Sequence, residues 1–218
     1  MTRSALSSTV LAILIVPLGR QPSAQCPTDS LIVCDVITTT SAPSYAVNGC
    51  TNAGAAYNLV AAHLAAEAPV RGDDAALTTK DIYTILGPAS VSPIACGVRF
   101  AIVAHGVYAG SVDAQIRSAT AVQGIKLDAF QGGGGSALNF TLSLSEPHPV
   151  GEPFLLVLSL HAHCPIATFF GETQWASGTG DLFFDVPPGY LVTSCQGYSS
   201  LPTAAKRRSW GELKTLYR

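Results

Sequence analysis

The sequence predicts an all-β fold, an antiparallel, jelly-roll-like β-sandwich with a short C-terminal helical tail. Three observations carry that reading. Short segments alternate apolar and polar residues with period two. Glycine and proline, 20 and 14 of the 218 residues, punctuate the chain between those segments. Six cysteines, an even number, follow an apolar N-terminal run.

The alternation is plainest in residues 136–144, where Leu138, Phe140, Leu142 and Leu144 share one face and Asn139, Thr141 and Ser143 the other. Residues 111–122 repeat it, with Val112, Ala114 and Ile116 opposite Asp113, Gln115 and Arg117. Further strands are expected over 30–40, 77–86, 97–109, 154–163, 180–186 and 190–195. Their spacing, broken by Gly72, Gly87-Pro88, Gly110, Gly132 to Gly135, Pro147, Pro149, Pro165 and Pro187-Pro188-Gly189, fits a sandwich or a barrel. Residues 53–68 are ambiguous. Alanine-rich composition favours a helix, whereas Val60, Ala62, Leu64, Ala66 and Ala68 also line one face of a strand, the reading preferred here.

Residues 1–25 read as a secretory signal peptide. Arg3 precedes an uncharged apolar run over 5–19, Pro17 and Gly19 break it, and small polar residues lead to cleavage after Ala24 or Gln25. The run is shorter than the ~20 residues of a spanning helix, and no transmembrane helix is expected in the mature chain. The organisation predicted is therefore a signal peptide over 1–25, a β-sandwich domain over 26–200 and a basic tail over 201–218. The product is exported, to the periplasm, the cell surface or the medium. In such a compartment Cys26, Cys34, Cys50, Cys96, Cys164 and Cys195 are expected to pair as disulfides, with fifteen connectivities open.

Charge narrows the function. The whole chain carries a net −2, and only 12% of its residues are charged, so there is no nucleic-acid footprint. Residues 26–205 hold 5 basic against 13 acidic residues, whereas 206–218 hold 5 basic and one acidic. An acidic body with a basic tail suggests a separate partner for the tail, a cell-envelope component or sorting machinery. Within it, Ser209 and Glu212 have the spacing of a capping box ahead of Leu213, Leu216 and Tyr217.

Candidate sites are few. His161 and His163 are two apart in a predicted strand and so share a face, a spacing that suits a metal. The plainer reading is two polar residues on a solvated face, and His105 or His63 completes a site only if the fold brings it close. Asp73-Asp74 and Asp81 are weighed as calcium ligands and read instead as a solvated turn, because no full calcium loop surrounds them. Phe169, Phe170, Trp175 and Tyr190 could offer a sugar-stacking platform, with burial in the core as the alternative. Gly132 to Gly135 lacks the Lys-Ser/Thr of a phosphate loop. No catalytic constellation and no cofactor are predicted.

Several stretches carry a family resemblance: Thr79 to Tyr83, the strand end at Gly106 and Gly110, Gly151 to Leu156, Leu182 to Tyr190, and Thr193 to Tyr198. Over roughly residues 50–200 the chain resembles exported bacterial β-sandwich proteins of the PEP-CTERM or choice-of-anchor kind. It lacks their Pro-Glu-Pro and apolar anchor, and ends in a short Ser-Trp-Gly…Tyr-Arg tail. The resemblance implies a jelly-roll-like sandwich at the surface or in the periplasm and brings no catalytic residues. The function expected is a non-enzymatic surface, structural or adhesive role. The alternatives are a carbohydrate-binding module and a metal-dependent enzyme at His161/His163.

Overall fold

The structure, a computed structural model, describes residues 26–49, 53–70, 72–130, 136–164 and 175–200. The expected signal peptide, Cys50, the Gly132 to Gly135 connection, Phe169, Phe170 and the tail with its predicted helix lie outside them. Within them every element is a strand: β1 (Asp29–Val33), β2 (Val36–Thr40), β3 (Ser44–Asn48), β4 (Gly54–Asn58), β5 (His63–Ala68), β6 (Asp74–Leu86), β7 (Ile94–Arg117), β8 (Val122–Phe130), β9 (Ser136–His148), β10 (Pro153–His163), β11 (Trp175–Asp185) and β12 (Leu191–Ser194).

All pairings are antiparallel. One sheet runs β2-β1-β6-β10-β7-β8, with β12 on the far end of β6. The other runs β3-β4-β5-β11-β7-β9. The 24-residue β7 belongs to both. Its first part, to Val107, pairs with β11 and β9, and its last part, from Ser111, with β10 and β8. The β7–β8 register slips between Tyr108 and Ser111, the local irregularity that lets a strand bend. Gly110 sits at this crossing, where a Cβ would stand 2.7 Å from the Trp175 carbonyl oxygen. A side chain there would separate β7 from β11.

The apolar faces meet between the sheets. Leu31, Leu77, Ile85, Ile116, Leu156, Leu158 and Leu160 come from the first, and Tyr57, Leu64, Phe100 and Ile102 from the second. The period-two pattern dictates this: in β10 the alternating residues Leu156, Leu158, Leu160 and Ala162 are buried, so Ser159, His161 and His163 project outward.

Four expectations need correction. Residues 30–40 are not one strand but a hairpin, because Cys34 and Asp35 both take positive φ (49° and 62°), as a two-residue turn between twisted strands demands. Residues 97–109 and 111–122 are largely one strand, since Gly110 ends nothing and instead allows a close crossing. Residues 53–68 are two strands, β4 and β5, joined by a turn in which Ala62 takes φ 56°. Asp73 and Asp81 are buried, not solvated; Asp81 lies in the middle of β6 on its inward face.

The cysteine expectation holds only in part. Cys26 is bonded to Cys195, and Cys34 is also disulfide-bonded. Cys96 and Cys164 are buried free thiols. Cys96 faces Glu146 at the end of the sandwich where β10 begins, and Cys164 follows the last residue of β10. An eleven-residue strand rising about 3.3 Å per residue separates them, far beyond the Cα spacing of a disulfide. Burial pushes the Cys96 thiol up to about 12, with Asp185 and Glu146 adding to the shift, so it packs as a small apolar residue.

Candidate metal centre

Among the described residues, histidines and acids gather on the outward face of the first sheet. The register sets Ala76, His161 and Asp113 in one row across β6, β10 and β7, and Asp74, His163 and Ser111 in the next. Since residues aligned across a sheet share a face, two histidines from β10 meet an aspartate from each flanking strand. Asp74 Oδ1 contacts His161 Nε2 and lies 3.2 Å from His163 Nδ1. One ligand atom from each of Asp74, His161 and His163 falls within 4.8 Å of the others. On the opposite side of the His161 ring, Nδ1 is 3.5 Å from Asp113 Oδ2.

Both nitrogens of His161 therefore face carboxylates. Without a metal the ring can donate to both only as an imidazolium. With a metal on Nε2, Nδ1–H donates to Asp113 and the ring stays neutral. That carboxylate–histidine–metal relay fixes the tautomer and orients the ligand. Asp113 Oδ1 is buried and has no hydrogen-bond partner among the described residues. Three donors of two imidazoles and one carboxylate suit zinc, copper, nickel or iron better than calcium or magnesium, which take oxygen-only shells. Zinc–ligand distances of about 2.0–2.2 Å separate tetrahedral ligand atoms by about 3.3–3.6 Å, close to the His163–Asp74 spacing. The cluster is about one-third exposed and opens into a shallow depression of about 480 Å³ shared with Cys34, Asp35, Ser111 and Lys126. A bound ion would keep at least one coordination position facing that space.

His161 and His163 thus lie together on the outward face, and the residues brought beside them are acids. His63 is on the second sheet, where its Nδ1 pairs with Asp181 Oδ1 at 2.7 Å, and His105 is opposite Ser177 there. Asp74 and Asp113 escaped sequence reasoning as partners because they lie 87 and 48 positions from His161, and only strand order brings them alongside. The one local signal was that both alternate with apolar neighbours, which put them on outward faces.

Of the aromatic candidates, Phe169 and Phe170 lie outside the described residues, and Trp175 and Tyr190 are apart. Trp175 begins β11 opposite Val107, at the end of the sandwich that carries the His/Asp cluster. Tyr190 packs over Gly87 at the opposite end and against the core.

No family model matches the chain, and no curated protein matches it. Two solved structures are similar to it in outline. One is the enzymatically active domain of tailspike protein 4 from bacteriophage CBA120, with a TM-score of 0.31 and 8% identity over 76% of this chain and 20% of that one. The other is TmCBM61 in complex with β-1,4-galactotriose, with a TM-score of 0.27 and 7% identity over 73% of this chain and 88% of that one. The chain spans about a fifth of the tailspike chain's length. Likeness at this level carries no functional argument.

Proposed function

We propose that this protein is an exported β-sandwich that works by binding, and that the ligand at its functional centre is a borderline transition-metal ion held by Asp74, His161 and His163. The observation that carries this reading is the convergence of the three donors with Asp113 behind His161, a ligand shell and its outer support on three adjacent strands. Export is supported by the Cys26–Cys195 disulfide, a bond maintained in oxidising compartments, and by the leader-like first 25 residues. The role fits a non-enzymatic surface or envelope protein, in which the basic residues 206–218 meet an acidic partner.

The test is metal analysis of the full chain purified without chelators, followed by titration with zinc, copper and cobalt. One equivalent should bind, and cobalt should give visible absorption of a low-coordinate nitrogen/oxygen site. His163→Ala and Asp74→Ala should each weaken binding at least tenfold, and Asp113→Asn about ten- to a hundredfold, as an outer partner does. Equal binding by wild type and His163→Ala would refute the site. A second reading, a metal-dependent enzyme, has one observation in its favour: three protein donors leave a position open toward the depression. Turnover that appears with metal and disappears in His163→Ala would establish it.

A further inference from the structure

The outward face of the first sheet changes character along its length. Where β6 starts and β10 finishes it carries the His/Asp cluster, and the next row toward the middle is Thr78, Ser159 and Gln115. A sheet face turned to water is expected to stay polar. Toward the end that carries β12 it does not. There β6 projects Ile82 and Leu86, β10 projects Leu155 and Val157, β12 projects Leu191, and Val122 opens β8. The register sets them side by side: Leu191 opposite Leu86, Leu155 opposite Ile82, and Val157 and Val122 on either side of Arg117. Leu86, Leu155 and Val122 are 41%, 43% and 58% exposed. Six residues of strand, from Leu86 to Lys80, make the patch about 20 Å long, and three strand spacings, from β6 to β8, make it about 14 Å wide. A contiguous aliphatic patch of this kind marks a surface that another element covers.

The path of the chain identifies the cover. Thr193 pairs with Ser199, and the Ser200 N–H donates to the Val192 carbonyl at 2.8 Å. Ser200 therefore lies beside β12, next to Leu191 and at the border of the patch. Beyond it, Trp210, Leu213, Leu216 and Tyr217 have the three- and four-residue spacings of one helix face, and Ser209 and Glu212 are spaced to cap that helix. Residues 209–218 as a helix are about 15 Å long and about 10 Å across, dimensions the patch accommodates. Residues 201–208 span up to about 26 Å when extended, enough to reach its centre. So short a helix is marginal alone and takes its stability from packing. A segment on a short tether acts at millimolar effective concentration, which favours it over a second copy or an outside partner.

We propose that residues 209–218 dock as an amphipathic helix on the β12 half of this face, with Trp210, Leu213, Leu216 and Tyr217 against Ile82, Leu86, Leu155 and Val157. Charge fits the arrangement. Glu212, the acid of the tail, comes to a surface whose charged groups are Lys80 and Arg117, on either side of Val157. Lys206 to Arg208 precede the helix and come to the exposed Glu152, in the turn that the Gly151 N–H ties to the Ile85 carbonyl. Lys214 and Arg218 are four apart, share another face and stay in water, available to an acidic partner. The cover stops short of the His/Asp cluster, so the inference stands independently of the metal centre.

The experiment uses the full chain. Acrylamide quenching of Trp210, taken as the difference between wild type and Trp210→Phe, should be several-fold weaker than in the free peptide 201–218 and independent of protein concentration. Leu155→Asp and Leu86→Asp alter exposed positions that the sandwich does not need for folding, and each should restore peptide-like quenching with the β-sheet circular dichroism retained. If one fails to fold, the other decides. Leu155→Cys/Leu213→Cys should form an intramolecular disulfide, whereas Thr141→Cys/Leu213→Cys should not, because Thr141 is exposed on the second sheet. Peptide-like quenching in wild type, protection that survives the aspartate variants, or equal formation of the two disulfides would overturn the proposal. So would disulfides that form only between chains, which would give the face to a second copy. Protection that appears only with anionic phospholipid vesicles would overturn it too, since the tail would then belong to a membrane surface.

Discussion

Replacing both Cys26 and Cys195 by serine removes one covalent tie without leaving a stray thiol. The bond joins residues 169 positions apart, so it closes a loop over most of the 218-residue chain. The unfolded chain loses entropy on closing a loop as a logarithm of its length, and a loop of this size corresponds to about 5 kcal/mol at 25 °C. For a domain of 150–250 residues each kcal/mol moves the melting temperature by about 2–4 °C, so a fall of about 10–20 °C is expected. The native state should change little, because Cys195 stays pinned by its N–H to the Ile82 carbonyl (2.8 Å), and Gln196 by its own N–H to Asp81. Guanidinium titrations of both proteins, with Cys34 left in its disulfide, measure the difference. A loss below about 1 kcal/mol would refute the argument, since the unfolded chain would then gain almost no freedom from the missing bond.

Three further outcomes follow from the packing. Cys96 and Cys164 should resist alkylation in the native protein and react fully in denaturant, as mass spectrometry can read, because both are 0% exposed and burial raises both thiols; rapid native labelling of Cys96 would contradict the packing. Gly180→Ala should cost about 1–3 kcal/mol by overpacking, because the new Cβ would stand 2.3 Å from the fully buried Phe100 ring; an unchanged denaturation midpoint would show that the two strands can part there. Burial raises the pKa values of Asp29 and Asp81, so the folded protein holds protons there more tightly than the unfolded chain does. Their contribution is full below the unfolded value near 3.8 and is lost as pH rises through the folded values. Asp81→Asn should therefore raise stability at pH 7 relative to pH 4 when compared with wild type, and melts at the two pH values would detect the opposite sign.

Period-two alternation was enough to read much of β6, β9, β10 and β11 and their inward faces, but not the turns inside 30–40 and 53–68 or the continuity of β7. It works in Leu156, Leu158 and Leu160, or Leu142 and Leu144, because a strand facing a core on one side and water on the other writes that asymmetry into every second residue. The same rule put His161 and His163 together on an outward face. What it could not convey was which strands are neighbours. The His/Asp cluster depends on β10 lying between β6 and β7, and the interior acids depend on β1 beside β6 with Gln196 folded over them. These are contacts between residues 48 to 167 positions apart, and local pattern is silent at that range. The cysteines divide in the same way. An even count behind an apolar leader argued for bridges, yet only strand placement decided that Cys26 meets Cys195 while Cys96 and Cys164 end up at opposite ends of the sandwich. Local sequence selects conformation and the face each side chain takes; burial of both sheets against each other selects the strand order, and the order assembles the sites.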